Sequence, residues 1–350
     1  MSQPRIGVVF NPNSKRNRLQ PERFGLLQEL VGDQGIVCRT AHPDDVPAVI
    51  GDFLDTDVRW WVADGGDGAF HWLVNKADQV IVERNRGERI PAILPTNNGT
   101  INFVGTKAGV IGRGEPLIRA LVDLVAGGGE PKVVEVDSLR MRGVYNESSE
   151  FPGEEFDKVG FACAAAGVSQ RFFDKFYAHG RLDALGISQV IGQIIGSAFL
   201  GIPGVKSLPL PTDAKAYSDS IFEPQGLDVW IDGEQLPLRW FTELSVGSID
   251  LDIAGIFQLF PYAREPGVMH VQAGAPTIAE VVLNLPRIAA GTDLRMANMV
   301  QQPAREMRVV ARDTYAIDPC IDGELFYGLQ QLTVSKGPAV QVICISAPTP

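Results

Sequence analysis

Cysteine is scarce in this chain of 350 residues: only Cys38, Cys163, Cys320 and Cys344 occur, none in a CxxC pair and none beside paired histidines. That spacing argues against a disulfide framework or a structural zinc site, and it fits a reducing cytosol. The four histidines, His42, His71, His179 and His270, show no metal-ligand spacing. GxxxxGK[ST] is absent, which sets aside the P-loop NTPases. GxSxG is absent, which sets aside a hydrolase elbow, and an incomplete GxGxxG makes a dehydrogenase a weak reading. Cationic residues are outnumbered, 31 Lys and Arg against 42 Asp and Glu, for a net charge of −11. The balance argues against nucleic acid as the main partner and against strong electrostatic docking on anionic membranes. No long apolar run is present. The nearest approach, Gly186–Gly204, is interrupted by Gln189, Gln193, two serines and five glycines, and it reads as an amphipathic or buried helix. Met1 leads directly into an apolar strand without a signal core, so a cytoplasmic location is expected.

Glycine (37) and proline (24) are plentiful, as in turn-rich α/β or β architecture, and the 45% apolar share can build real cores. The length suits about two domains. In the first part, strands and helices alternate. Strands are expected at Arg5–Phe10, Gly35–Thr40, Val58–Ala63 and Ile90–Leu94. Helices are expected at Pro21–Val31, Pro43–Leu54, Phe70–Ala77 and Leu117–Val125. This rhythm implies right-handed βαβ units and a parallel, doubly wound sheet. After about Pro131 strand-like runs dominate, from Val133–Val136 to Val340–Ser346. Two helices interrupt them, the Gly186–Leu200 region and one opened by a Thr277/Glu280 capping box. The fold class expected is therefore an αβα, doubly wound N-terminal domain (residues 1–137) followed by a mainly antiparallel β-sandwich (138–350), with the C-terminal segment as a candidate to rejoin the first domain.

The sharpest motif is Asp64-Gly65-Gly66-Asp67-Gly68-Ala69, between the strand VRWWVA and the next helix. Glycines at a strand-to-helix turn let the backbone approach a ligand and aim amides and a helix N-terminus at an anion. Asp67 would repel a bare phosphate. It makes sense with a divalent cation between them, since Mg²⁺ binds one or two carboxylates plus phosphate oxygens. Two more polar loops follow strands on the same sheet edge, Asn11-Pro12-Asn13-Ser14-Lys15 and Pro95-Thr96-Asn97-Asn98-Gly99-Thr100. Either alone reads as a turn; three together suggest a phosphate site. The tetrapeptide Ile-Asp-Gly-Glu occurs twice, at Ile231–Glu234 and Ile321–Glu324. The first reads as a plain Asp-Gly hairpin, and periodicity alone does not separate the second from it.

In order and content these motifs resemble the diacylglycerol kinase catalytic-domain superfamily, which includes bacterial diacylglycerol kinases, related lipid kinases and sphingosine kinases. The family pattern runs NPxSG, GGDGTxxEVxN, GTxND and a late DGE. The matching stretches are NPNSK (Asn11–Lys15), GGDGAFHWLVN (Gly65–Asn75), NNGTINF (Asn97–Phe103) and DGE (Asp322–Glu324), which span nearly the whole chain. The resemblance implies nucleotide binding at Asn11, Pro12, Asn13, Ser14, Lys15, Thr40, Gly65, Gly66, Asp67, Gly68, Ala69, Phe70, His71, Trp72 and Thr100. It implies Asp67 and Asp137 as acids of a metal–phosphate site, and Glu324, with Asp322 beside it, as general base. Departures are Ala69 for the family's Thr, Trp72 for its Glu, Phe103 for the Asp of GTxND, and a Pro261–Gly267 segment without the family's Asp.

The resemblance therefore implies an ATP- and Mg²⁺-dependent lipid kinase, cytoplasmic and at most peripheral on a membrane, with a lipid substrate at the membrane surface and no nucleic-acid partner. Whether it is a homodimer is left open. The departures keep a nucleotide-binding protein without turnover as the alternative, with an NAD kinase behind it.

Overall fold

The structure is a computed structural model and describes residues 5–84, 87, 89–178, 180, 186, 189–190, 192–194, 196, 220–253 and 257–347. Most of the expected Gly186–Leu200 helix lies outside the described residues. The chain divides into two compact units, 1–136 with 339–350, and 137–338.

In the first unit β1 (Ile6–Phe10) pairs in parallel with β2 (Gly35–Arg39) on one side and β3 (Trp60–Asp64) on the other, and β3 pairs with β4 (Ile93–Pro95). All five residues of β1 and of β3 are buried, as central parallel strands covered on both faces must be. The helices between them are α1 (Lys15–Leu19), α2 (Arg23–Val31), α3 (Val46–Asp55), α4 (Asp67–Glu83), α5 (Phe103–Ala108) and α6 (Glu115–Ala126). α3 packs on α4, and α2 on α6. The expected helix at Pro43–Leu54 is in fact a 3₁₀ turn, Pro43–Asp45, followed by α3, because Pro47 restarts the helix at its second position. The chain winds outward to β2 and then returns to the far side of β1 to lay down β3. Strand order therefore reverses between β1 and β3, the place where open α/β sheets bind ligands at their carboxyl ends.

β5 (Lys132–Val136) follows α6. The second unit then contains two sheets. One orders β10 (Glu234–Gln235), β9 (Gln225–Ile231), β17 (Glu306–Ala311), β20 (Leu329–Lys336), β6 (Leu139–Tyr145) and β7 (Glu155–Gly160), with β11 (Trp240–Phe241) also on β9. The other orders β16 (Met299–Ala304), β15 (Met269–Gly274), β12 (Glu243–Gly247), β8 (Ala162–Gly167), β18 (Cys320–Ile321) and β19 (Glu324–Leu325). All named pairs in both sheets are antiparallel. Their inner faces share one core, with Leu139, Met141, Leu227, Val229, Val309 and Leu332 from the first sheet and Cys163, Leu244, Val246 and Val271 from the second. β13 (Leu251–Ile253) and β14 (Phe257–Leu259) form a separate ribbon. α7 (Val168–Ala178) and α8 (Ile278–Ala290) are helices of this unit, the latter opened by the expected Thr277/Glu280 box.

After β20 the chain re-enters the first sheet. β21 (Val340–Cys344) lies between β4, parallel, and β5, antiparallel. The C-terminal strand thus joins the sheet of the first unit, as the candidate reading had it, and that sheet is mixed rather than wholly parallel. Among the described residues, no helix is long and apolar enough to cross a membrane.

Candidate functional site

The β1–β3 switch point is built around a carboxylate that sequence reasoning left without a role. Asp64, the last residue of β3, is fully buried. Its Oδ2 accepts from Arg23 Nη1 at 2.6 Å and Asn17 Nδ2 at 3.0 Å. Its Oδ1 accepts from Arg23 Nη2 at 2.9 Å, Thr96 Oγ1 at 3.1 Å and Asn98 Nδ2 at 3.2 Å. α1, α2 and the loop after β4 are thus tied to the end of β3. A buried carboxylate survives only when paired and hydrogen-bonded, and Asp64 has both. The available signal was its place at the end of a buried strand, directly before the glycines.

The glycine turn itself presses on the third polar loop. A Cβ on Gly66 would lie 2.4 Å from Gly99 Cα, and one on Gly99 would lie 2.7 Å from Gly66 Cα. Asp67 reaches the same loop, with Asn102 N–H donating to its Oδ2 at 2.6 Å. The Asn102 side chain closes the loop by accepting from Gly99 N–H at 2.8 Å and donating to Gly99 C=O at 2.9 Å. Gly66 caps α4, a helix of 17 residues, and Phe70 N–H to Gly66 C=O is a bond of its opening turn. The Gly68 and Ala69 amides have no acceptor within the helix, and they carry its positive dipole end.

The first polar loop lies beside this turn. Asn11 Oδ1 accepts from Asn13 N–H at 2.8 Å, and Asn13 Nδ2 donates to Ala41 C=O at 2.6 Å, beside Thr40. Pro12 is half-buried in that turn. Thr40 is buried, and its backbone N–H donates to Phe10 C=O. Ser14 caps α1, which begins at Lys15, by position alone: its Oγ is buried without a hydrogen-bond partner among the described residues. A Cβ on Gly65 would lie 3.9 Å from Ser14 Cβ, so the orphan hydroxyl belongs to the same turn.

The structure therefore brings Asn11–Ser14, Thr40 and Gly65–Ala69 together with the Asn97–Asn102 loop, and it leaves Thr100 exposed at that loop's tip. Phe70 and His71, expected at the nucleotide, are 1% exposed. Phe70 joins the core and His71 stacks edge-on against half-buried Trp72, so at these positions only the backbone is offered to a ligand.

The three remaining acids belong to the second unit. Asp137, expected at the metal, has Lys336 Nζ at 3.2 Å from its Oδ1, and Gly267 N–H donates to its Oδ2. Asp322, expected beside the base, accepts at its Oδ1 from Phe161 N–H at 2.8 Å and Ala162 N–H at 2.9 Å, holding the β18–β19 hairpin to the second sheet. Glu324, half-buried on β19, remains the acid of that hairpin with no such backbone duty among the described hydrogen bonds. Among the described residues, no group of three or more His, Cys, Asp or Glu converges as a metal cage. The donor set still fits a metal held largely by phosphate oxygens: Asp67 would provide one carboxylate, and the Ser14 hydroxyl and the α4 amides would be donors to the anion.

No family model matches the chain, and no curated protein matches it. Solved structures do. One from Bacillus anthracis str. Sterne, assigned as a diacylglycerol kinase, superposes with a TM-score of 0.63 at 13% identity, covering 99% of this chain and 97% of the other. Two further diacylglycerol kinase structures from that strain give 0.57 at 12% identity and 0.54 at 10%, each covering 99% of this chain and 98% of theirs. The chain has the fold of these kinases over its whole length, an α/β unit joined to an antiparallel β unit.

Proposed function

We propose that the protein is an ATP-dependent lipid kinase, transferring the γ-phosphate of Mg·ATP to the hydroxyl of a diacylglycerol- or sphingoid-like lipid. The observation that carries the nucleotide half of this reading is the buried, unpartnered Ser14 hydroxyl beside the glycine turn. A buried donor without an acceptor costs about 1–3 kcal/mol, a cost that a phosphate oxygen removes. The Gly68 and Ala69 amides add donors whose charge suits the same anion. Asp67 is the residue that would hold Mg²⁺, which when bound neutralises charge on the triphosphate. Glu324 accepts the proton of the lipid hydroxyl as it attacks. Positioning and charge stabilisation supply most of the rate in such transfers. The lipid half rests on the fold shared with the diacylglycerol kinases and on the family motifs.

A nucleotide-binding protein without turnover is the second reading. Ala69 favours it, because the turn lacks the hydroxyl the family places there. Asp67→Asn separates the contributions, since the amide oxygen keeps the bond to Asn102 N–H while the charge is lost. In calorimetry with Mg·ATP the wild type should bind and the variant should bind at least about ten-fold more weakly. With labelled ATP and a panel of lipids in mixed micelles, a phosphorylated lipid supports the kinase, and binding without transfer supports the second reading. Unchanged Mg·ATP affinity in folded Asp67→Asn removes Asp67 from the site.

A further inference from the structure

The second unit contains a cavity of about 110 Å³ to which neither the nucleotide loops nor the DGE hairpin contributes. α8 is amphipathic, yet Ile278, Val281, Val282, Leu285 and Ile288 are only half-buried and Leu283 is exposed. Asn284 is its one fully buried side chain, fixed by bonds to Glu280 C=O and Arg295 C=O. The pocket beside it is walled by Val281, Ile288, Phe260, Leu294 and Met299. At the polar end of that apolar wall is Glu243, 5% exposed, at the start of β12.

Glu243 is held rigidly. Its Oε1 accepts from Ser169 Oγ at 2.7 Å, Ser245 Oγ at 2.7 Å and Gln272 Nε2 at 3.0 Å, while its Oε2, among the described residues, accepts only from Ser169 N–H, at 3.0 Å. The oxygens are loaded three to one, which leaves Oε2 with acceptor capacity. Among the described residues no Lys or Arg pairs with it. Burial pushes its carboxyl above the usual range, against the opposing pull of the Ser169, Ser245 and Gln272 bonds. A buried acid without a counter-charge is costly, and a polar anchor in an apolar cavity is the usual build of a small-molecule site.

We propose that this cavity is a binding site for a short alkylammonium group, its hydrocarbon body against Val281, Ile288 and Met299 and its ammonium on Glu243 Oε2. The pocket is partly open, and its volume gives a scale rather than a limit: a cavity of about 150 Å³ accommodates benzene, so about 110 Å³ suits a chain of about four or five carbons. The flexible Met299 thioether adapts the wall to such a chain. The site lies within one unit and needs no nucleotide, so it stands or falls apart from the kinase reading.

Three probes of equal length test it by ligand-observed NMR titration of the full chain without nucleotide: pentylamine, pentan-1-ol and pentanoate. Pentylamine should bind saturably, about ten-fold or more tighter than pentan-1-ol, and pentanoate should not bind. Ile288→Trp, at a half-buried position, should fill the cavity and abolish pentylamine binding. Glu243→Gln keeps size and hydrogen-bonding capacity, and should bring pentylamine down to the level of pentan-1-ol. No saturable pentylamine binding, equal binding of pentylamine and pentan-1-ol by the wild type, binding unchanged by Ile288→Trp, or an amine preference that survives Glu243→Gln would each overturn the proposal. If Ile288→Trp fails to fold, the Glu243→Gln comparison decides alone.

Discussion

Arg23 grips Asp64 through both terminal guanidinium nitrogens, at 2.6 and 2.9 Å, with both side chains closed to solvent. One residue opens α2 and the other ends β3, so this pair fixes the helix to the strand whose next residues are the glycine turn. Breaking a buried pair from one side strands a charge, at a cost of about 3–5 kcal/mol. Arg23→Met should therefore destabilise the chain by that order in urea unfolding. Arg23→Met with Asp64→Asn should recover much of the loss, because no naked carboxylate remains. If the double variant is no more stable than the single, the charge is not the cause.

The Gly66–Gly99 contact makes a sharper statement about the site. Neither glycine has a positive φ, so alanine is permitted by the backbone at both positions, and only the close approach of the two loops forbids it. Gly66→Ala and Gly99→Ala should each force the loops apart, costing about 1–3 kcal/mol as overpacking does. They should weaken Mg·ATP binding beyond that stability loss. A variant at either position with unchanged stability shows that the loops slide past one another freely.

The two Ile-Asp-Gly-Glu segments turn out to be the same device. Asp232 and Asp322 both have φ near 50°, each followed by a glycine of positive φ, the geometry of a two-residue hairpin turn. Asp232 Oδ1 accepts from Arg305 and Glu306 N–H, just as Asp322 Oδ1 accepts from Phe161 and Ala162 N–H. The aspartates are thus duplicates, and any chemical difference rests with the glutamates, exposed at 234 and half-buried at 324. Glu324→Gln should lower lipid phosphorylation by about 10²-fold or more, and Glu234→Gln should leave it unchanged. Asp322→Ala, at the buried turn, should cost more stability than Asp232→Ala at the exposed one. Equal turnover for the two glutamate variants removes Glu324 as base.

The alternation of apolar strands and helices made the first four strands, and the helices that became α2, α4 and α6, legible, because each local segment carries its own period. The pairing of β5 with β21 was not legible, for the opposite reason. Lys132–Val136 and Val340–Cys344 pair with each other across about 200 residues of chain, and nothing within either segment says which sheet will take it. The glycine turn and its polar companion loops could be read as motifs. Arg23 could not, because a lone arginine in a helix looks like a solvated residue until its partner is known. For Asp137 and Asp322 the acid in its motif is visible, but the Lys336 ammonium and the backbone amides that engage them are not.

His270 gives a pH signature for the second unit. It is fully buried on β15, its Nδ1 accepts from Tyr262 N–H at 3.2 Å, and its ring stacks on Tyr262. Burial pushes its pKa down to about 4, more strongly than Gln272 and the Asp293 carboxylate pull it up. The neutral ring is therefore the folded form, whereas the unfolded chain takes up the proton near 6.5. The stabilisation from keeping His270 neutral is fully present above pH 6.5 and is lost as the pH falls from there to about 4. Over that window the loss is about 3 kcal/mol at 1.36 kcal/mol per unit. His270→Asn keeps an acceptor for Tyr262 N–H but does not titrate. Its penalty in urea unfolding should be largest at pH 7 and should shrink toward pH 4 as the wild type gives up its advantage. A penalty that is the same at pH 7 and pH 4 would mean that the ring is already protonated in the folded chain or titrates alike in both states, and the acid sensitivity must then come from another group.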